Sequence, residues 1–380
     1  MMERRNRGGV QGVMREQMQA GMAALQQGDT DEARNVFSTL LEANPRLAIA
    51  HVGLGRVFAS EGDHRKALEH FQEALAIKPD FAPAVLFSAE AREKLGEIDA
   101  ALMEYEDAVT LDPSMGLGYL RMARLLTREN RDGEALKLLR EAVLRSPQDA
   151  GLRLMLANAL ARQGELPAAE SEYRRVIDLK PDLWLAHYQL GKLHLRAREF
   201  APARDALSRA AALAPDQVPV QQALGAALAG LGEHGRAAKS YDEALRLKPD
   251  SVRAAVQAAR SRSAAGKHRE GLDLLLGLGR VARRSGLVQK ALGDIYLAMA
   301  RPLDAVDCYR ALILNTPRIR TAAPEVVALA EAENPEDIAA FALSLRDALA
   351  VHVEALTDRM RADPKLLRDR LSARREGATG

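Results

Sequence analysis

Residues 215 to 249 read PDQVPVQQALGAALAGLGEHGRAAKSYDEALRLKP, and the fold follows from what recurs in this stretch. Its two flanking prolines belong to a ladder: Pro45, Pro79, Pro113, Pro147, Pro181, Pro215 and Pro249, each 34 residues after the last. The next step lands on Arg283 and the one after on Pro317. Proline lacks the N–H a helix needs and pushes the residue before it out of the helical region. A proline at constant spacing therefore marks one helical unit ending again and again, and a period of this length belongs to helix–turn–helix arrays.

With each proline as position 32, repeats start at Met14, Ala48, Ala82, Gly116, Ala150, Trp184, Val218, Val252 and Gly286. Position 8 is small throughout (Gly21, Gly55, Ala89, Ala123, Ala157, Gly191, Gly225, Ala259, Gly293). Position 20 is alanine, with Gly271 the exception, and position 24 is large: Phe37, Phe71, Tyr105, Leu139, Tyr173, Leu207, Tyr241, Leu275 and Tyr309. Small columns on opposed helices let two backbones approach, and the large column is expected to fill the space between one helix pair and the next. Gly or Asn opens most of the intervening turns, supplying the left-handed residue that ends a helix, and Asp residues after it can cap the next one. Asp182 and Asp250, in LKPD, are expected to cap the repeats that follow.

These columns resemble the tetratricopeptide repeat, whose pattern asks for a large residue at position 4, Leu and Gly/Ala at 7 and 8, Ala at 20, an aromatic at 24, Ala at 27 and Pro at 32. The resemblance covers nine repeats. It implies an all-α fold, a right-handed α-solenoid (superhelix) of tandem repeats with a C-terminal helical cap. The departures lie at position 4, often polar here (Gln17, His51, Arg153, His187, Gln221), where weaker packing is expected. Repeat eight departs most: Arg283 replaces proline, Gly271 replaces alanine, and Gly277 and Gly279 fall inside its second helix, which predicts a weak point over 271 to 285.

The expected organisation is a disordered basic segment at 1 to 13, the array at 14 to 319, capping helices at 320 to 361 and a basic flexible tail at 362 to 380. Asn334-Pro335-Glu336-Asp337 reads as a helix start. Ile338, Phe341, Leu345, Leu349, Leu356 and Met360 then make an apolar stripe, ending before Asp363-Pro364. That stripe can cover the last repeat, or join copies of the array or dock a partner.

The 54 basic and 52 acidic residues nearly cancel, so no global attraction to nucleic acid is expected. A single cysteine, Cys308, rules out an intramolecular disulfide and a cysteine-rich zinc site. The basic N-terminus lacks an apolar core of the secretory kind, and no stretch is apolar enough to span a bilayer, so a cytoplasmic protein is expected. His187 and His194 share a helix face without a carboxylate or thiol at ligand spacing. GLGR at 53 to 56 and 277 to 280 extends to no phosphate-binding motif. Some tetratricopeptide chains carry a transferase domain, but nothing outside the repeats here exceeds about 60 residues. No catalysis, metal or cofactor is expected.

In the family, positions 2, 5, 6, 9 and 12 of the first helix line the concave face. Carried over, they give Arg121 and Arg124 in repeat four, Asn158 in repeat five, Tyr188, Gln189 and Lys192 in repeat six, and Arg253, Gln257 and Arg260 in repeat eight. Repeat seven, with Gln222, Ala223 and Ala226, looks bland. The basic column at position 13 (Lys94, Arg128, Arg162, Arg196) is common in the family and weighs less. The co-chaperone pattern that clamps acidic chaperone tails is matched by no three consecutive repeats; Arg121 alone fits a column. The expected function is a non-enzymatic scaffold or adaptor whose groove binds an acidic or mixed peptide, or a helix, of a partner protein. The alternatives are a self-assembling scaffold joined through 335 to 361, or an assembly factor of a larger envelope or secretion complex.

Overall fold

The computed structural model describes residues 2–316, 319, 323–332 and 337–362, with side chains described for 13–316, 319, 323, 326–332 and 337–350. Among the described residues there are only helices, turns and bends, and no strand. The fold is an all-α helical solenoid, and its helices group into two compact bodies, Met1–Asp182 and Leu183–Gly380.

The N-terminal body pairs α1 (Met2–Gln27) with α2 (Thr30–Ala43), α3 (Ala48–Ser60) with α4 (His64–Ile77), and α5 (Ala82–Leu95) with α6 (Ile98–Leu111). It ends with α7 (Gly116–Arg128), α8 (Asp132–Arg145), α9 (Ala150–Gln163) and α10 (Leu166–Leu179). The C-terminal body continues with α11 (Trp184–Arg196), α12 (Phe200–Leu213), α13 (Val218–Gly230), α14 (His234–Leu247) and α15 (Val252–Ala264). After these come α16 (His268–Leu276), α17 (Arg280–Arg283), α18 (Gly286–Ala298), α19 (Pro302–Leu314), α20 (Pro324–Glu331) and α21 (Ile338–Ala362).

At the N-terminus, residues 2 to 13 fall within the bounds of α1, which begins at Met2. No proline interrupts this stretch, and its Met, Glu, Arg and Gln residues are good helix formers that offset Gly8, Gly9 and Gly12.

The prolines act as their chemistry requires. Second helices stop two residues before each of the seven, and the residue between is extended, as at Lys78 (φ −138°, ψ 92°) and Lys248 (φ −140°, ψ 86°). Within each repeat the chain turns through one residue of positive φ. Six of these are glycines; Asn130 (61°), Arg198 (59°) and Ala300 (54°) take the same conformation without glycine's freedom.

Capping is narrower than the sequence implied. Asp29 and Asp63 accept hydrogen bonds from Glu32 N–H and Lys66 N–H at the starts of α2 and α4. Asp182 and Asp250 do not cap, because the N-cap is one residue further on, at Leu183 and Ser251. Asp149 occupies that later place and accepts from Gly151 N–H and Leu152 N–H. Side-chain capping needs the acceptor at the N-cap itself.

Positions 8 and 24 meet face to face. A Cβ on Gly55 would lie 2.4 Å from the Phe71 ring, and one on Gly293 would lie 2.5 Å from the Tyr309 ring. Phe37 serves two repeats, covering Gly21 of its own and Gly53 of the next. The large column thus packs within its repeat as well as between repeats. Packing this tight leaves no room for a methyl group.

Four polar position-4 residues are latches, which corrects the expectation of weak packing at those positions. His51 Nε2–H, Arg153 Nε–H, Gln221 Nε2–H and Gln289 Nε2–H reach the carbonyl six residues upstream, on Pro45 (3.2 Å), Pro147 (2.7 Å), Pro215 (3.1 Å) and Arg283 (2.7 Å). Each ties the start of one repeat to the connector from the repeat before it. The contact exchanges apolar area for a hydrogen bond to a carbonyl that has no helical partner.

Repeat eight breaks where its glycines fall. Its second helix stops at Leu276 with Gly277 as C-cap, and a separate single turn, α17, starts after Gly279. Gly271, however, has a packing reason. A Cβ there would lie 2.6 Å from the Ala259 carbonyl oxygen, so α16 presses onto α15 more closely than alanine permits.

Pro317 and Asn334 to Glu336 lie outside the described residues, as does the tail from 363. Asp337 accepts hydrogen bonds from Ala339 N–H (2.9 Å) and Ala340 N–H (3.0 Å) at the head of α21. Phe341, Leu345 and Leu349 are buried in one cluster with Val306, Tyr309 and Ile313 of α19 and Val326 and Ala330 of α20. This half of the stripe is therefore buried inside the chain. The side chains of Leu356 and Met360 lie outside the described residues.

Candidate functional site

Each body carries a hollow on its first helices, and the nine sequence-picked residues divide between the two bodies. In the N-terminal body a cavity of about 360 Å³ opens over α3, α5 and α7, lined by Arg56, Phe87, Glu90, Glu93, Lys94 and Arg121 among others. Here the charges answer one another. Arg121 Nε lies 2.5 Å from Glu90, and Arg128 pairs with Glu93 at 2.8 Å. Burial raises the Glu90 carboxyl above the ordinary range, an effect that Arg121 opposes. Arg56 stacks over Phe87, 4.9 Å from the ring centre, and its own burial lowers its pKa.

This spends most of the N-terminal picks. Arg121 is neutralised by Glu90, a carboxylate the sequence reading did not pair with it. Asn158 accepts the Tyr173 hydroxyl at 2.7 Å. Arg124 is exposed. From the position-13 column, Arg162 reaches Thr127 (3.2 Å) and Asp132 (3.5 Å) of the preceding repeat, a tie between repeats.

The C-terminal body differs. A cavity of about 280 Å³ opens over α11, α13 and α15. Tyr188 and Lys192 stand on one side, Arg253 and Gln257 on the other, with Gln222, Ala223, Ala226 and Tyr241 between. Among the described residues, no carboxylate lines it. Lys192 Nζ sits 5.2 Å from the centre of the Tyr188 ring, a cation–π contact that leaves its charge uncancelled. Lys192 and Arg253 are exposed and make no ion pair among the described residues. Gln222 donates to Ser251 Oγ at 3.4 Å.

Of the other C-terminal picks, Gln189 is half-buried on α11 and does not line the cavity, and Arg260 faces Asp294 at 3.5 Å. The structure thus brings Tyr188, Lys192, Arg253 and Gln257 together and leaves Gln189 and Arg260 outside. It also adds repeat seven, read as bland. Ala223 and Ala226 are small where neighbouring repeats carry long side chains, and that smallness makes the hollow. An absence of bulk can be found in sequence only once the columns are aligned and the facing positions known.

The second-helix tyrosine beneath the hollow is the feature sequence reasoning missed. Tyr105, Tyr173 and Tyr309 donate their hydroxyls to Glu93 (2.9 Å), Asn158 (2.7 Å) and Asp294 (2.8 Å) on the first helix of the same repeat. Tyr241 has Ala226 where Asn158 and Asp294 stand in their repeats. It is only 4% exposed and makes no hydrogen bond among the described residues. Burial pushes its hydroxyl up to about 12, so it stays protonated at neutral pH.

A third cavity, of about 750 Å³, lies between α18 and α21, with Leu297, Ala298, Ala339, Leu343 and Ala350 on its apolar walls. His194 Nδ1 meets Glu199 at 2.7 Å and is buried. No cluster of His, Cys, Asp and Glu suited to a metal occurs among the described residues, and no helix there is long and apolar enough to cross a membrane.

No curated protein matches the chain. Among solved structures, it is similar to YrrB, described as a TPR protein with an unusual peptide-binding site (22% identity, TM-score 0.39, 48% of this chain and 95% of that one). It is also similar to PilF of Pseudomonas aeruginosa (19%, 0.48, 56% and 97%) and to MamA of Desulfovibrio magneticus RS-1 (20%, 0.40, 42% and 91%). One tetratricopeptide repeat profile matches residues 18–82, 120–183, 154–218 and 188–252, and a second matches 58–114. The first alone spans more than half of the chain, and its matches fall on the helix pairs described above: the chain belongs to the tetratricopeptide repeat family.

Proposed function

We propose that the chain is a non-enzymatic adaptor that holds a segment of a partner protein against the first helices of repeats six to eight. That tetratricopeptide repeats make it a protein–protein interaction scaffold in general follows from the family. The observation that carries the narrower reading is the contrast between the two hollows. In repeats two to four Arg121 is matched by Glu90 within the chain. In repeats six to eight Lys192 and Arg253 face a cavity that no carboxylate lines among the described residues. Cations left unmatched in a hollow favour an acidic or mixed segment, and the amides of Gln222 and Gln257 suit the backbone of an extended one. The reading assigns the chain no catalysis, and we place it in the cytoplasm, which cell fractionation checks.

The test is affinity capture from the native cell with the full chain and with Lys192 and Arg253 changed together to Ala. Loss of the captured protein, together with weaker capture by the full chain as salt rises, supports the reading. Unchanged recovery of every partner refutes it.

A further inference from the structure

We infer that repeats six to eight contain a seat for one carboxylate of the bound segment, formed by the Tyr241 hydroxyl below and the Lys192 and Arg253 charges at the rim. This deepens, and rests on, the reading that this face holds a partner segment. The argument starts from an imbalance. Three of the four second-helix tyrosines at this position have a first-helix acceptor, and the fourth has Ala226 instead. The Tyr241 ring is buried, yet the residue lines an open hollow, so its hydroxyl is a donor with no acceptor among the described residues and faces whatever enters there.

What would satisfy Tyr241 must accept a hydrogen bond, fit over two alanines and be favoured beside two positive charges. A carboxylate does all three. It is an acceptor only, it can take the planar Arg253 guanidinium through two oxygens, and the nearby Lys192 charge favours it. The cavity of about 280 Å³ has room for such a group together with part of its chain. The hollow of repeats two to four lacks this character, because Glu90 and Glu93 already stand among its cations.

The experiment selects random peptides displayed on phage against the full chain. The most enriched peptide is then synthesised in four forms: as selected, with its acidic residues changed to amides, and each of these with a free or amidated C-terminus. The seat predicts enriched peptides that share an acidic residue or need a free terminus. Removing the responsible carboxylate is expected to weaken binding about tenfold or more, and the Lys192→Ala/Arg253→Ala chain to do the same. The amide and terminus arms tell a side-chain carboxylate from a terminal one.

Two milder variants separate recognition from folding. Tyr241→Phe keeps the ring and removes the donor, and it should weaken binding severalfold. Ala226→Asn gives Tyr241 the acceptor that Asn158 gives Tyr173 and occupies the hollow. It should abolish the preference for a carboxylate while thermal unfolding stays at or above that of the parent chain. Gln222→Trp, which fills the hollow with bulk, reports on the face as a whole. Peptides that lose binding to Gln222→Trp, yet bind equally well without a carboxylate or with Tyr241→Phe and Ala226→Asn, overturn the seat and leave the face intact as a binding surface. Peptides indifferent to Gln222→Trp, or no enrichment at all, overturn both.

Discussion

Arg153 offers the sharpest test of how the repeats are joined. Its Nε–H donates to the Pro147 carbonyl at 2.7 Å and its Nη1 meets Glu172 at 2.7 Å, with side chains only 11% and 12% exposed. Arg153→Met keeps the apolar stem and removes both bonds. Breaking one partner of a buried ion pair costs about 3–5 kcal/mol, because the remaining charge is stranded. Glu172 keeps Arg175 at 2.8 Å, itself 58% exposed, which softens that penalty. The lost hydrogen bond from a charged group to the Pro147 carbonyl adds about 1.5–3 kcal/mol in the other direction. The net expectation is a loss of about 3 kcal/mol, felt most in α9 and α10. Arg153→Met/Glu172→Met should recover about half of it, since two apolar residues replace a desolvated pair while the Pro147 carbonyl stays unmatched. The pair of exposed Arg174 with half-buried Glu170 is the control, and Arg174→Met should change stability by less than about 1 kcal/mol. The assay is urea unfolding followed by circular dichroism, with amide hydrogen exchange to localise the effect, because repeat arrays can unfold in parts. Arg153→Met within about 0.5 kcal/mol of the parent, or a double variant no better than the single, would refute the latch.

Three further outcomes are expected. Gly271→Ala makes repeat eight match the other eight at position 20, yet it should destabilise by about 1–3 kcal/mol in denaturant unfolding, because the new methyl meets the Ala259 carbonyl oxygen. Ala300→Gly should stabilise by roughly 0.5–1 kcal/mol in the same assay, since Ala300 holds a left-handed φ of 54° that glycine adopts freely. Burial, with Asp307 and Asp304 nearby, pushes the Cys308 thiol up to about 11. Thiolate is therefore scarce at pH 8, and alkylation by iodoacetamide should be much slower in the folded chain than in urea, the gap closing as pH rises towards 11.

The proline ladder made the helix ends legible because a proline acts on its own neighbours and needs no tertiary partner. Lys78, Ser146 and Lys248 are extended simply because each precedes a proline. The same locality explains the left-handed glycines of the turns and the break after Leu276 in repeat eight. Locality also explains two misreadings. Asp182 and Asp250 had the chemistry of caps but sat one residue early, and a cap depends on backbone geometry at a single position. Polar residues at position 4 looked like weak packing because their partner, the carbonyl six residues back, becomes available only when a connector folds against the next helix.

Repeat number and helix pairing were thus determined by the sequence alone, since each rests on periodicity and backbone propensity within one repeat, whereas the facing of position 8 on position 24 within a repeat emerged only on packing. Which charges remain free was decided only in the tertiary structure. Arg121 and Lys192 look alike in a column of sequence. Yet Arg121 meets Glu90 from the neighbouring repeat, while Lys192 looks across two alanines towards Arg253. Whether a cation is cancelled or available depends on what three-dimensional packing sets within a few ångströms of it, and that distance is not written along the chain.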